Sequence, residues 1–183
     1  MAQLILITGG TRSGKSEYAR ICAETLPGPR AFVATCLATD DEMRERIRKH
    51  RQSRLKSSWE TIEEPFELKA SLRSHAQFNV YLIDCLTLWL NNRLYMAREQ
   101  GQTLSEEQVA LMAEELAQSC SSVAGSAILV TNEVGSGIVP DIQDARLFRD
   151  LMGICNQVVA NAADEVVLVT CGLPLKLKDG GIL

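Results

Sequence analysis

The chain has 183 residues and a mass of 20.1 kDa, which is the size of one domain with a single core. Its 46% hydrophobic and 23% charged residues exclude wholesale disorder, a collagen-like fibre and a coiled coil. The formal net charge of -4 argues against a general nucleic-acid binder, and no apolar run approaches the roughly 18–20 residues of a membrane span. The N-terminal residues do not resemble a signal peptide. We therefore expect one cytoplasmic domain over residues 1–183.

Five short aliphatic stretches are typical of parallel strands that are buried on both faces. They are Leu4–Thr8, Ala31–Thr35, Val80–Asp84, Ile128–Thr131 and Val166–Thr170. Amphipathic segments predict helices at Ser16–Glu24, Asp40 to about Arg54, Leu86–Glu99, Ser105–Val123 and Asp144–Asn161, with capping boxes that begin at Thr39 and Ser105. This alternation predicts an α/β fold with a mostly parallel sheet and helices on both faces. Ligands in such folds bind beyond the carboxyl ends of the strands.

A phosphate-binding loop follows the first predicted strand. The loop reads Gly9-Gly10-Thr11-Arg12-Ser13-Gly14-Lys15-Ser16, which satisfies G-x-x-x-x-G-K-[ST] between a strand and a helix. Its glycines let backbone N–H groups surround phosphate oxygens, and the helix start adds partial positive charge. We expect Lys15 to contact the β- and γ-phosphates of a nucleotide, and Ser16 to bind Mg²⁺. Asp84, at the end of an apolar strand, is the expected second Mg²⁺ ligand.

The segment 44–79 has the least regular sequence pattern of the chain. It is interpreted either as an extended crossover connection or as a small lid over the nucleotide. Seven basic residues lie in the segment from Arg44 to Lys56. This basic cluster forms either a solvated helix face or an anion-binding site. Within this cluster, His50 is either an exposed polar residue or a nucleophile whose neutral imidazole attacks phosphorus. His75 lies in a polar stretch before a strand, and we assign it no function.

The six cysteines show neither a CxxC motif nor the spacing of metal ligands, so we expect reduced thiols and no zinc site. Cys36, Cys85 and Cys171 fall in or just after predicted strands, where a cysteine is most often a small apolar filler.

Further strings extend the pattern beyond the phosphate loop. Ala34-Thr35 precedes Asp40-Asp41-Glu42-Met43, and Arg46-Ile47 leads to His50 and Arg54. Later come Val130-Thr131-Asn132-Glu133-Val134-Gly135-Ser136-Gly137-Ile138-Val139-Pro140, Phe148-Arg149-Asp150, Asn156-Gln157 and Ala162-Ala163-Asp164-Glu165-Val166. With these strings the chain resembles, over nearly its full length, the bifunctional adenosylcobinamide kinase / adenosylcobinamide-phosphate guanylyltransferase family of cobalamin synthesis. The phosphate loop is common to many families. The Asn132-Glu133-Val134-Gly135 string and the predicted helix that contains His50 occur together in far fewer families.

The resemblance implies a RecA-like P-loop NTPase fold, a homotrimer, and His50 as the residue that becomes covalently guanylylated. It also implies GTP and ATP as substrates, together with adenosylcobinamide and its phosphate. The expected GTP contacts are the phosphate loop, Ala34, Thr35, Cys36, Arg51, Gln52, Ser53, Arg54, Glu63 and Asp84. Family members carry two adjacent histidines where this chain has Lys49-His50, and glutamate also occurs in the family at the position of Asp84. Asn132 and Glu133 are expected to act in catalysis or in acceptor binding.

Four other functions stay open at this point. They are a guanylyltransferase without kinase activity, another P-loop kinase of small molecules, a RecA-like ATPase that depends on nucleic acid, and a regulatory nucleotide-binding module. The acidic pI of about 5.3 counts against the nucleic-acid-dependent ATPase. The apolar residues Leu88, Trp89, Leu90 and Leu94 and the segment Val109–Leu116 add a reason to expect an oligomer, since they offer more apolar surface than one small helix usually buries.

Overall fold

The computed structural model of the protein describes residues 3–37 and 59–179. In these ranges seven strands form one sheet in the order β3-β2-β4-β5-β1-β6-β7. The strands are β1 Leu4–Thr8, β2 Arg30–Ala34, β3 Trp59–Glu63, β4 Val80–Asp84, β5 Ser126–Val130, β6 Glu165–Thr170 and β7 Leu173–Asp179. The helices are α1 Lys15–Thr25, α2 Leu68–Ser74, α3 Leu86–Glu99, α4 Glu106–Ser121 and α5 Gln143–Ala162.

The sheet is parallel from β3 to β6, and β7 pairs antiparallel with β6. The carboxyl ends of the parallel strands therefore meet at one edge of the sheet. Strand β1 lies between β5 and β6, so the loop that follows β1 opens between the carboxyl ends of these two strands. The predicted α/β class with a mostly parallel sheet is confirmed.

Both faces of the sheet are covered, and alternate residues of each central strand enter different cores. Leu4 and Leu6 of β1 belong to the core that includes residues of helices α2 to α5. Ile5 and Ile7 belong to the core on the other face, together with Ala19 and Ala23 of α1. A strand with apolar neighbours on both sides needs no alternation of polar and apolar residues, which explains the aliphatic sequences of the central strands.

The two edge strands and helix α2 were missed by the sequence analysis. In β3 only Ile62 is buried, and in β7 Leu173, Leu175 and Leu177 are all more than half exposed. An edge strand has one partner and incomplete cover, so its sequence lacks the aliphatic signal of a central strand. The described part of the segment 44–79 begins with an edge strand and a helix, whereas residues 44–58 lie outside the described residues.

Helix boundaries agree with the predictions to within two residues where the structure describes them. The predicted capping box at Ser105 is confirmed, because its hydroxyl accepts from the Gln108 N–H at 3.3 Å. In return the Gln108 side chain accepts from the Ser105 N–H at 2.8 Å. The capping box at Thr39 and the helix from Asp40 to about Arg54 lie outside the described residues.

All six cysteines are described, and all are free thiols. Cys85 is buried, as expected of an apolar filler, and burial raises its pKa to about 11. Cys171 is exposed, so the same expectation is wrong there, because the residue lies in the turn between β6 and β7 and not in the sheet. Among the described residues, no helix has the length and apolar character needed to cross a membrane.

Candidate nucleotide-binding site

The loop between β1 and α1 lies directly against the end of β6. Gly9 is buried, and a Cβ atom placed on it would be 2.3 Å from the backbone oxygen of Val169 and 2.7 Å from Ser13 Oγ. Only glycine fits at this position. Gly14 has a φ of 95°, in the left-handed region that glycine adopts without steric penalty. Gly9 and Gly14 of the phosphate-loop motif are therefore required by the packing and backbone conformation of the loop itself.

The turn between β6 and β7 supports the other end of the loop. The Gly172 N–H donates to the Ser13 carbonyl at 2.8 Å. A Cβ atom on Gly14 would lie 3.2 Å from the Gly172 Cα, so the two backbones are in close contact. Cys171 and Gly172 have φ values of 52° and 79°, which form a tight left-handed turn. This support was missed in the sequence analysis, although a Cys-Gly pair after a strand is a signal for such a turn.

The start of α1 presents groups that suit an anion. Gly14 is the N-cap residue and provides no side-chain cap, so the helix start keeps its partial positive charge. Ser13 Oγ is buried and has no hydrogen-bond partner within residues 3–37 and 59–179. An unsatisfied buried hydroxyl costs about 1–3 kcal/mol, and a phosphate oxygen is a group that could satisfy it.

Lys15 is buried at the first position of α1, with only 9% of its surface exposed. Its Nζ donates to the Gly10 carbonyl at 3.1 Å. Burial lowers the pKa of the Lys15 ammonium, and the negative charge of Asp84 opposes this effect. The lysine is thus a partly desolvated cation whose charge interacts with the carboxylate at the end of β4.

Three predicted site residues lie in one row across neighbouring strands. Ala34 of β2 is in register with Glu63 of β3 on one side and with Asp84 of β4 on the other. Glu63 is exposed, and Asp84 is half-buried. Ser16 is half-buried in the first turn of α1, at the same edge of the sheet. The same edge of the sheet therefore carries a hydroxyl and carboxylates, which are the oxygen donors that Mg²⁺ prefers.

Thr35 performs a structural task at this edge. It is fully buried, its hydroxyl donates to the Cys85 carbonyl at 2.8 Å, and it accepts from the Cys85 N–H at 2.7 Å. The hydroxyl is thus engaged within the protein and joins the ends of β2 and β4. Contacts of Ala34, Thr35 and Cys36 with a nucleotide stay predictions.

The segment after β5 is held by a second set of polar contacts. The Asn132 N–H and side chain both donate to the Thr87 hydroxyl, at 2.8 and 3.1 Å. Asn156 accepts from the Thr131 hydroxyl at 2.7 Å and donates to the Asn132 carbonyl at 3.0 Å. The Glu133 N–H donates to the Gly9 carbonyl at 3.2 Å, so this segment is tied to the phosphate loop.

The side chain of Glu133 is occupied by its own loop. Its carboxylate accepts from the N–H groups of Gly135 and Ser136 at 2.7 and 3.1 Å. Hydrogen bonding from the Ser136 side chain and from these N–H groups lowers the pKa of Glu133. The geometry shows a loop-shaping role for this residue, and a role in catalysis or acceptor binding stays a prediction.

The buried positioning residues Thr87 and Asn92 were also missed. The Asn92 side chain donates to the Thr35 carbonyl at 2.8 Å and to the Pro65 carbonyl at 3.2 Å. A signal was present, because threonine and asparagine stand inside the otherwise apolar first turns of α3. Buried polar side chains of this kind normally satisfy backbone groups.

The predicted nucleophile and part of the predicted GTP site lie outside the described residues. These are His50, Arg51, Gln52, Ser53 and Arg54. The described part of the chain contains the phosphate loop, the row at the sheet edge and the turn that supports the loop. Assignment of His50 as nucleophile stays a prediction.

A mostly parallel sheet with a glycine-rich phosphate loop between β1 and α1 defines the class of P-loop nucleotide-binding proteins. The family profile described as "Cobinamide kinase / cobinamide phosphate guanyltransferase" matches residues 5–177. The chain therefore belongs to this family, whose members are kinases and nucleotidyltransferases, and the resemblance stated from the motifs is confirmed.

Individual relatives agree with this membership. A bifunctional adenosylcobalamin biosynthesis protein CobP of Pseudomonas aeruginosa is 40% identical over 174 residues, which cover 94% of this chain and 96% of the relative. The bifunctional adenosylcobalamin biosynthesis protein CobU of Escherichia coli is 38% identical and covers 96% of this chain and 99% of its own length. The protein of the same name from Salmonella typhimurium is 36% identical, with coverage of 96% and 99%.

Replacing Thr35 by valine tests the link between β2 and β4. The variant keeps the size of the side chain but removes the hydroxyl that accepts from the buried Cys85 N–H, whereas the Cys85 carbonyl still accepts from the Trp89 N–H. We expect the free energy of unfolding to fall by about 1–3 kcal/mol, measured by urea denaturation. The matched control is Thr25→Val, which removes an exposed hydroxyl that donates to the Cys22 carbonyl and should cost no more than about 0.5 kcal/mol. Equal losses in both variants would contradict the structural role of Thr35.

Proposed function

We propose that this protein phosphorylates adenosylcobinamide with ATP or GTP, and transfers GMP from GTP to adenosylcobinamide phosphate to give adenosylcobinamide-GDP. The observation that supports this most is the phosphate loop with its buried lysine beside Asp84, in a chain that belongs to the cobinamide kinase / cobinamide phosphate guanyltransferase family. The names of the relatives, which are bifunctional proteins of adenosylcobalamin biosynthesis, favour both activities over guanylyltransferase activity alone.

In the kinase reaction, the hydroxyl of the aminopropanol arm attacks the γ-phosphorus, and the bond to the β-phosphate oxygen breaks. Lys15 neutralises charge that develops on the transferred group, and the backbone N–H groups of the loop hold the phosphates in place. Ser16 and Asp84 are the residues that would hold Mg²⁺, since both place oxygen donors at the sheet edge. The metal would supply further neutralisation of phosphate charge.

In the guanylyltransferase reaction, His50 attacks the α-phosphorus of GTP, so that a nitrogen–phosphorus bond forms and pyrophosphate leaves. A phosphate oxygen of adenosylcobinamide phosphate then attacks the same phosphorus and releases the histidine. Two in-line displacements replace one difficult transfer, which is the advantage of covalent catalysis. We assign GTP contacts outside the described residues to Arg51, Gln52, Ser53 and Arg54, with cationic groups near the phosphates.

We propose that the protein is a cytoplasmic homotrimer. Six free thiols fit a reducing compartment. Of the apolar residues that first suggested an oligomer, Trp89, Leu90, Val109 and Leu116 are buried within the chain, whereas Leu111 is 56% exposed. The support comes instead from β7, where Leu175 and Leu177 are 55% and 52% exposed on an edge strand.

Sedimentation equilibrium at micromolar concentration measures the assembly. We expect three times the 20.1 kDa chain mass. The double variant Leu175→Ser and Leu177→Ser should shift the protein toward the monomer if β7 lies in the interface. Ile21→Ser removes an aliphatic side chain that is 49% exposed on α1, and it should leave the mass unchanged. A wild-type monomer would contradict the proposed assembly.

Replacing Lys15 by alanine tests the kinase reaction. The side chain makes one hydrogen bond to Gly10 and lies beside the phosphate loop, so its loss should leave the fold intact. We expect phosphoryl transfer to fall by at least 100-fold, since positioned charge at the transferred phosphoryl group is worth several kcal/mol. Lys69→Ala, which removes an exposed lysine paired with Glu115, should transfer normally. Near-normal turnover by a well-folded Lys15→Ala protein would refute the assigned role.

Incubation with α-labelled GTP and Mg²⁺ tests the guanylyltransferase reaction. We expect a GMP adduct on His50 that survives alkali and is lost in mild acid, because a phosphoramidate is acid-labile. His50→Ala should lose both the adduct and transfer to adenosylcobinamide phosphate. His75→Ala is the matched control, since this histidine lies before β4, at the opposite edge of the sheet, where its Nδ1 is 2.9 Å from the Ser71 carbonyl. An adduct on the His50→Ala protein would show that another residue is the nucleophile.

A further inference from the structure

We propose that Thr87, Asn132 and Asn156 form a polar clamp that positions the phosphate loop for binding of a nucleotide. The inference rests on the proposed nucleotide site and adds to it three residues that act on the loop from outside. It is carried by a continuous chain of hydrogen bonds, which leads from α3 and α5 through the segment after β5 to Gly9. The three are positioning residues, since they reach the loop only through Glu133.

The first member of the clamp is a buried threonine in the first turn of α3. Thr87 is 8% exposed, and its hydroxyl accepts from the Asn132 N–H at 2.8 Å and from the Asn132 side chain at 3.1 Å. The N-cap position of α3 belongs to Cys85, so Thr87 lies inside the helix and does not cap it. Two donors of one residue thus converge on a single oxygen, which holds the start of the segment after β5 against α3.

Asn156 holds the same segment from α5. Its side-chain oxygen accepts from the Thr131 hydroxyl at 2.7 Å, and its side-chain N–H donates to the Asn132 carbonyl at 3.0 Å. Thr131 is fully buried, and its N–H donates to the Ile7 carbonyl at 2.9 Å, which fixes it to β1 as well. Asn132 is therefore bound at its N–H, at its carbonyl and at its side chain, so its orientation is set on both sides.

The next peptide group carries this orientation into the phosphate loop. The Asn132 carbonyl and the Glu133 N–H belong to one planar trans peptide group and point in opposite directions. Asn156 holds the carbonyl, so the N–H is directed to the Gly9 carbonyl, to which it donates at 3.2 Å. By the same rule, a fixed Gly9 carbonyl sets the direction of the Gly10 N–H. Two peptide groups in series thus connect the clamp with the first peptide group of the loop.

Loss of the clamp would leave the Gly9–Gly10 peptide group free to rotate, so that a bound phosphate must first order it. The free energy of this ordering is subtracted from the binding free energy. Once a nucleotide is bound, the loop has its usual geometry and transfer proceeds at its usual rate. The clamp therefore acts on Kd and KM for the nucleotide and not on kcat, which separates positioning of the loop from a part in the chemical step.

Replacing Thr87 by valine removes the accepting oxygen and keeps the shape of the side chain. Titration calorimetry of the full-length protein with inorganic triphosphate and Mg²⁺ measures binding to the phosphate loop alone, and kinase turnover at varied ATP gives KM and kcat. We expect Kd for triphosphate and KM for ATP to rise at least about fivefold, with kcat within about twofold of the wild-type value. Asn156→Ala should give the same pattern. Thr87→Ser restores the oxygen and should return Kd and KM to within about twofold of wild type.

Tyr81→Phe is the matched control for loss of a buried hydrogen bond. Tyr81 is fully buried, and its hydroxyl donates to the His75 carbonyl at 2.7 Å, at the opposite edge of the sheet from the loop. We expect the urea midpoint of unfolding to fall in both Tyr81→Phe and Thr87→Val. Only Thr87→Val should lose affinity for triphosphate.

An unchanged Kd in Thr87→Val, a fall in kcat without a rise in Kd, or an equal loss of affinity in Tyr81→Phe would each overturn the inference. A Thr87→Ser protein that binds as weakly as Thr87→Val would do the same. If Thr87→Val does not fold, Asn156→Ala decides by the same criteria. Wild-type protein that binds triphosphate but does not phosphorylate adenosylcobinamide would refute the proposed kinase reaction and leave the clamp to be judged by Kd. Wild-type protein that does not bind triphosphate would refute both.

Discussion

The close approach of the phosphate loop to the end of β6 is the constraint on which the site depends. Gly9 lies under the Val169 carbonyl with no room for a side chain, and Gly14 lies against Gly172. These contacts fix the path of the chain between β1 and α1 before any ligand arrives. Because the path is fixed, the N–H groups at the start of α1 point to one place, and binding need not first order the loop.

Polar side chains inside apolar elements hold the rest of the carboxyl edge. Thr35 joins β2 to β4, Asn92 joins α3 to the segments after β2 and β3, and Asn156 joins α5 to the segment after β5. Each of them pairs with backbone groups at the ends of strands, which is the usual task of a buried polar side chain. The polar residues of the edge thus fall into two groups, those that hold the scaffold and those that remain for a ligand.

Glu133 shows why this division matters. From its position after a strand, a role in catalysis or acceptor binding is a reasonable expectation. In the structure its carboxylate accepts from two backbone N–H groups and shapes the loop that follows. A variant at this position would therefore alter the loop as well as any chemistry, so loss of activity alone would not identify a catalytic residue.

Most of the central sheet and the phosphate loop could be predicted from the sequence, because both depend on local patterns. Leu4–Thr8 and Val80–Asp84 are aliphatic since both of their faces are covered, and the loop motif has a fixed spacing. The edge strands Trp59–Glu63 and Leu173–Asp179 could not be predicted from the sequence. Edge strands are specified by pairing with a neighbouring strand and not by their own composition. The same limit applies to the contact between Ser13 and Gly172, which lie far apart in the sequence.

The environment of Lys15 shows how the fold prepares the site for charge. Burial disfavours the ammonium ion, and the Gly10 carbonyl and the charge of Asp84 only partly replace the lost water. A phosphate group would bring negative charge to a cation that is already desolvated, so the protein would not need to remove that water again on binding. The same low-dielectric surroundings strengthen the attraction between the lysine and the phosphate. The free energy needed to desolvate the Lys15 ammonium group is supplied when the chain folds. The electrostatic stabilisation by this group then acts when negative charge develops on the transferred phosphoryl group.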